Sequence, residues 1–206
     1  QNMEEKIKTF TKMTDSPFFT FAKPYLGFIG KSKLFSLIYL IMAVVNLILP
    51  FVVIYVAINS GIFGWGGAEF VFAFIFSWIV IAFACWVGFQ LWYDRKSKAG
   101  RYDGAEFIVT PIISEVFQTF GEWLGTLIGI IGAGVGLIAT LFLRGDASGL
   151  FEMLSMRFMP NGILAVIAGP IIGFGIIIVF RFIAEQMRIL VALANNTKSI
   201  ADNIKR

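Results

Sequence analysis

Five glycines, Gly121, Gly125, Gly129, Gly132 and Gly136, stand four, four, three and four residues apart. On an α-helix that spacing places all five on one face. They run into an apolar stretch, Thr126 to Leu143, with no charged residue. Such a helix would be poor in water, because each glycine costs about 1 kcal/mol against alanine. In a bilayer the stripe has a use: small residues let two backbones approach closely, and packing replaces a hydrophobic drive that lipid cannot supply. A second small-residue row follows at Ala165, Gly169 and Gly173. The two rows are expected to join two membrane helices, or one of them to meet a neighbouring subunit.

Composition agrees with a chain that lives in lipid. Of 206 residues, 58% are apolar and 15% charged, too few charges to coat a soluble domain. Apolar runs long enough for the hydrocarbon core, about 20 residues each, give four spans, near 34–58, 70–93, 125–143 and 162–182. The expected fold is all-α and polytopic. Ser16-Pro17 and Thr110-Pro111 read as helix starts. Each precedes an aromatic, amphipathic stretch expected to lie in the membrane interface before spans 1 and 3; the second covers Ile112–Leu124. Residues 1–33 form an N-terminal cytoplasmic and interfacial segment, 34–182 the transmembrane domain. Residues 183–206 continue the last helix as an amphipathic tail, with Ile183, Met187, Leu190, Ala194, Thr197, Ala201 and Ile204 in 4-3-4-3 spacing. A short surface helix is expected within Phe151–Phe158.

Lysine and arginine counts set the orientation. Six precede the first span, four lie between spans 2 and 3, and five follow from Arg181 onward. The loop after span 1 has none, and the loop after span 3 has Arg144 and Arg157. Positive residues favour the cytoplasmic side, so both termini are expected inside. The halves repeat one plan at an offset of 94 residues, Pro17 to Pro111. Both start inside, so the repeat is parallel, unlike the inverted repeats of many transporters.

The second half resembles a family of small bacterial inner-membrane proteins of unknown function. The likeness rests on Phe107-Ile108-Val109-Thr110-Pro111-Ile112-Ile113, on Arg181 with Glu185 four residues later, and on Ala194-Asn195-Asn196-Thr197. In the family an Arg-x-x-x-Glu is followed by an apolar stretch, an acidic residue and Asn. Here Asn195 stands at the acidic position, and Gln186 and Arg188 interrupt the apolar stretch. The resemblance implies a bacterial inner membrane and a two- or four-helix architecture, and no activity.

The chemistry available is sparse. There is no histidine, and Cys85 is alone in an apolar run, where it reads as a small buried hydrophobe. Neither a His/Cys metal site within one chain nor a histidine-based triad can be built. No phosphate loop, nucleophile elbow or zinc motif is present, and no catalytic residue, cofactor or metal is expected. The net charge of +4 belongs to membrane orientation and not to nucleic acid. Asn46 and Pro50 stand out in span 1, because the proline frees the Asn46 carbonyl and the amide could satisfy itself locally, grip a neighbouring helix or line a pore. Arg181 and Glu185 are spaced for an ion pair on one helix face. The less favoured reading is a ring of charges at a pore mouth or a partner contact. Glu115, Glu122, Asp94 and Asp103 read as a solvated inner surface. The expected partners are the bilayer and either further copies of the chain or another protein. The reading that follows is a non-catalytic accessory or scaffold subunit; the alternative is a homo-oligomeric channel.

Overall fold

The computed structural model describes residues 32–65, 67–98, 109–154, 156 and 161–204. Six helices follow in order: α1 Ser32–Asn59, α2 Ile62–Trp65, α3 Ala68–Lys98, α4 Val109–Phe142, α5 Ser148–Met153 and α6 Gly162–Ile204. No strand occurs among the described residues. Four of the helices, α1, α3, α4 and α6, are long and apolar enough to cross a membrane. The chain is a four-helix membrane protein. Its outward faces carry Phe51, Tyr55, Phe83, Leu141, Ile171 and Phe174, all well exposed. Large apolar side chains all round a bundle suit lipid as the outer solvent.

The helices pack in chain order. α1 lies on α3, α3 on α4, and α4 makes its most extensive contact with α6. The connection from α1 to α3 and that from α4 to α6 each hold one short helix. α1 ends where the Ser60 hydroxyl donates to the Ala57 carbonyl (2.9 Å) and Gly61 turns at φ +67°. α3 starts with Glu69 in its first turn and ends with Arg95, Lys96 and Lys98 in its last, charges that complement the helix dipole at both ends.

The amphipathic segment Ile112–Leu124 and the third span are one continuous helix, α4, with no junction at Gly125. The segment is held by packing: Ile112, Ser114, Glu115, Thr119 and Glu122 are all buried. The second connection holds a short helix at Ser148–Met153, which overlaps the start of the expected Phe151–Phe158; residues 155, 157 and 158 of that stretch lie outside the described residues. Asp146 sets its start, accepting from the Ser148 amide (3.0 Å) and hydroxyl (2.6 Å). Those two bonds hold the Asp146 carboxyl below the usual carboxylate range. The expected interfacial stretch before span 1 lies outside the described residues.

α4 stops at a left-handed turn. The Gly145 amide donates to the Ala139 carbonyl (3.1 Å), and the residue between, Arg144, sits at φ 54°. That position after a helix is normally glycine, because a Cβ there is strained. Arg144→Gly should therefore raise the thermal midpoint, by an amount equivalent to about 0.5–1 kcal/mol. A drop in a melting curve of the solubilised protein would show that the Arg144 side chain holds the loop.

Candidate functional site: an interhelical polar network

Two places concentrate polar side chains inside the bundle. The first joins α1, α3 and α4. Asn46 is fully buried. Its amide nitrogen donates to the Met42 carbonyl one turn back (2.7 Å), and its amide oxygen accepts from Trp123 Nε1 on α4 (2.8 Å). Gly88 on α3 makes this meeting possible, since a Cβ there would lie 2.4 Å from Asn46 Oδ1 and 2.9 Å from the Trp123 ring. Tyr39, Trp92 and Trp123 close round it, with ring centroids 5.8 Å and 6.2 Å apart for the successive pairs. Pro50, one turn on, accepts from Trp78 Nε1 on α3 (2.9 Å). Asn46 thus satisfies itself locally and also grips a neighbouring helix. Asn46→Leu should cost only about 0.5–1.5 kcal/mol, the range of hydrogen bonds between membrane helices. A stability loss several times larger in a denaturant titration would mean that the Trp123 indole is left without any acceptor.

The second place is a ladder between α4, α6 and α3. Ser114, Gln118 and Glu122 recur every four residues, so they share one face of α4. Across from them on α6 stand Arg188 and Arg181, two turns apart. α4 and α6 run antiparallel, which brings Ser114 opposite Arg188 and Glu122 opposite Arg181. Arg188 Nε donates to Ser114 Oγ (3.1 Å) and its Nη2 to Gln118 Oε1 (2.6 Å). Gln118 Nε2 donates to Glu122 Oε1 (2.8 Å). Glu122 also receives Arg181 through Nε (2.9 Å) and Nη2 (2.8 Å), and Arg95 of α3 through Nη2 (3.0 Å). Its side chain is 9% exposed, while those of Arg95 and Arg181 are 24% and 56% exposed. One buried carboxylate therefore ties three helices together.

This network corrects two expectations. Arg181 pairs with Glu122 across the helix interface and not with Glu185 on its own helix; Glu185 is exposed and makes no ion pair among the described residues. An Arg-to-Glu order at four-residue spacing is the weaker orientation on a helix, so a buried carboxylate across the groove outcompetes it. Glu122 and Glu115, expected on a solvated surface, are both buried. The four-residue recurrence of Ser114, Gln118 and Glu122 was the visible signal. What it lacked was the rotation of α6 that presents two arginines to it.

Between them the small residues set the distance from α4 to α6. A Cβ on Gly125 would lie 2.3 Å from the Gly173 carbonyl oxygen, and one on Gly173 would lie 2.3 Å from the Gly125 oxygen. A Cβ on Gly169 would lie 2.8 Å from Gly132 Cα, and one on Gly136 would lie 2.7 Å from the Gly162 oxygen and 2.9 Å from the Ala165 Cβ. Gly121 receives the Phe180 side chain. Gly129 is looser, since a Cβ there would come no nearer than 3.8 Å, to Pro170 Cα. Gly134, off the stripe, admits Val80 of α3. The rows at Gly121–Gly136 and Ala165–Gly173 meet each other within one chain.

At the far end of the bundle a cleft of about 350 Å³ is lined by Glu69, Phe70, Leu143, Arg144, Asp146, Ser148 and Gly149. Its ionisable groups are exposed, and Asp146 is already held by Ser148. Among the described residues no cluster of three His, Cys, Asp or Glu is placed to hold a metal. The arrangement as a whole is suited to fixing helices relative to one another. No family model matches the chain, and neither a curated protein nor a solved structure does.

Proposed function

We propose that this chain is a non-catalytic scaffold, an accessory subunit of a membrane assembly. In this reading it sits in a bacterial inner membrane with the Ser32 and Ile204 ends of the bundle in the cytoplasm. The basic residues Arg95, Lys96, Lys98, Arg181, Arg188 and Lys198 gather at that end, as the positive-inside rule asks. The observation that carries the reading is the ladder of Ser114, Gln118, Glu122, Arg95, Arg181 and Arg188. Its charged groups are bonded across helix interfaces, which makes a rigid platform, and above it α6 continues out of the bundle. At about 1.5 Å per residue the 43 residues of α6 exceed the roughly 30 Å hydrocarbon core about twofold.

The pore alternative has less support. Asn46 is enclosed between helices, and the glycine rows are occupied by each other. Cross-linking in cells that make the protein at native level, followed by purification, should recover a second, different polypeptide in fixed stoichiometry. The purified chain in liposomes should conduct no more ions than protein-free vesicles across a range of voltage and tension. Recovery of this chain alone, together with a flux changed by Asn46→Leu or Glu185→Gln, would overturn the scaffold reading in favour of the pore.

A further inference from the structure

The register of α6 on α4 runs from Gly162 opposite Gly136, through Gly173 opposite Gly125, to Arg188 opposite Ser114. α4 begins at Val109, so its cover ends about one turn beyond Arg188. From Ala192 to Ile204 every described side chain of α6 is exposed. This stretch still carries large apolar groups, with Leu193 61%, Ile200 61% and Ile204 80% exposed, and Leu190 just before it is 64% exposed.

We propose that this extension is a parallel pairing seam for a second copy of the same chain. Leu190, Leu193, Thr197, Ile200 and Ile204 recur at steps of three, four, three and four residues, the repeat of a two-stranded coiled coil. Leu190, Thr197 and Ile204 take the a positions, and Leu193 and Ile200 the d positions. The flanking e and g positions hold Ala194, Ala201, Ile189, Asn196 and Asn203, none of them charged. The charges Arg188, Lys198 and Asp202 fall at f, b and f. Arg188, which reaches α4, is at the position farthest from the seam, so a second helix can dock without disturbing the bundle. Compared with the seam read from Ile183, Met187, Ala194 and Ala201, this one replaces alanines by Leu193 and Ile200.

The uncharged flanks of the seam fit a second copy of the chain. Partner choice between different coiled-coil helices is set mainly by charges at e and g, and here those positions offer nothing to read. Two identical copies meet with no like charges opposed, and a two-fold contact needs only one self-complementary stripe. Insertion in one orientation makes every copy leave the membrane on the same side, so the pairing is parallel. A second observation lies in the span. A Cβ on Gly175 would meet nothing within 4 Å, so packing among the described residues does not account for that glycine. Gly175 precedes Leu193 by 18 residues, five turns at about 3.6 residues each, and therefore opens on the same face.

The test uses the full chain in nanodiscs with Cys85→Ser, and single cysteines placed by Leu193→Cys, Ile200→Cys or Lys198→Cys. Mild oxidation should form cross-linked dimer at positions 193 and 200 about tenfold faster than at 198, as d positions meet across a parallel seam and b positions do not. Leu193→Glu with Ile200→Glu should halve the particle's protein mass from two copies to one and leave the thermal midpoint of the bundle unchanged. Equal cross-linking rates at the three positions, no dimer at any of them, or a full-chain mass other than two copies would overturn the proposal. The scaffold reading does not rest on this pairing. It fails on the recovery of no second polypeptide, and the pairing fails on cross-linking position.

Discussion

Gly125→Ala should lower the thermal midpoint of the solubilised protein sharply, while Gly129→Ala, one turn away on the same face, should leave it unchanged or raise it. The two positions look alike in the sequence. In the structure a Cβ at 125 would sit 2.3 Å from the Gly173 carbonyl oxygen, and 3.2 Å from its carbonyl carbon. Those are backbone atoms, which cannot rotate away, so α4 and α6 must separate locally. Overpacking of this kind costs about 1–3 kcal/mol or more, and the lost contact runs the length of the interface. A Cβ at 129 would lie 3.8 Å from Pro170 Cα, an ordinary van der Waals distance. There alanine adds contact and improves helix propensity by up to about 1 kcal/mol. Gly173→Ala should behave like Gly125→Ala, because its Cβ would meet the Gly125 oxygen and the Gly129 amide nitrogen. Equal melting curves for the 125 and 129 variants would refute the register of α4 against α6.

Glu122→Gln should be the most damaging conservative change to a polar group. It leaves Arg95 and Arg181 facing each other without their shared anion. Breaking a buried pair by removing one partner costs about 3–5 kcal/mol, and partial exposure of the arginines brings the expectation down to about 2–3 kcal/mol. Arg181→Ala should cost less, since the carboxylate keeps Arg95 and Gln118, and the removed group was 56% exposed. Replacing all three by Glu122→Leu, Arg95→Met and Arg181→Met should recover most of the loss, because apolar groups of similar volume need no desolvation. Denaturation of the three variants beside the parent chain in one detergent gives the ranking. If Glu122→Gln and Arg181→Ala were equal, the carboxylate would be serving a single arginine and not bridging α3 to α6.

The parts legible in the sequence were those set by short stretches of chain. Whether a run such as Phe70–Tyr93 can cross a bilayer depends on its own length and polarity, so the four long helices could be read directly. A glycine row such as Gly121–Gly136 marks one helix face by spacing alone. The continuity of α4 was less legible, because an amphipathic stretch reads the same whether its polar face meets water or Arg188 and Arg181. The grip of Asn46 on Trp123 was one of several open readings, since the residues are 77 positions apart and only Gly88 lets them meet.

What the sequence by itself determined is therefore the number and small-residue faces of the membrane helices. Hydropathy and helical period are local properties of each segment. Only the tertiary structure decided which charge meets which. The partner of Arg181, the burial of Glu122 and the difference between Gly125 and Gly129 all depend on the rotation and shift of α6 against α4. That register is set by backbone contacts between glycines far apart in the chain, a few tenths of an ångström at a time, and no single segment carries it.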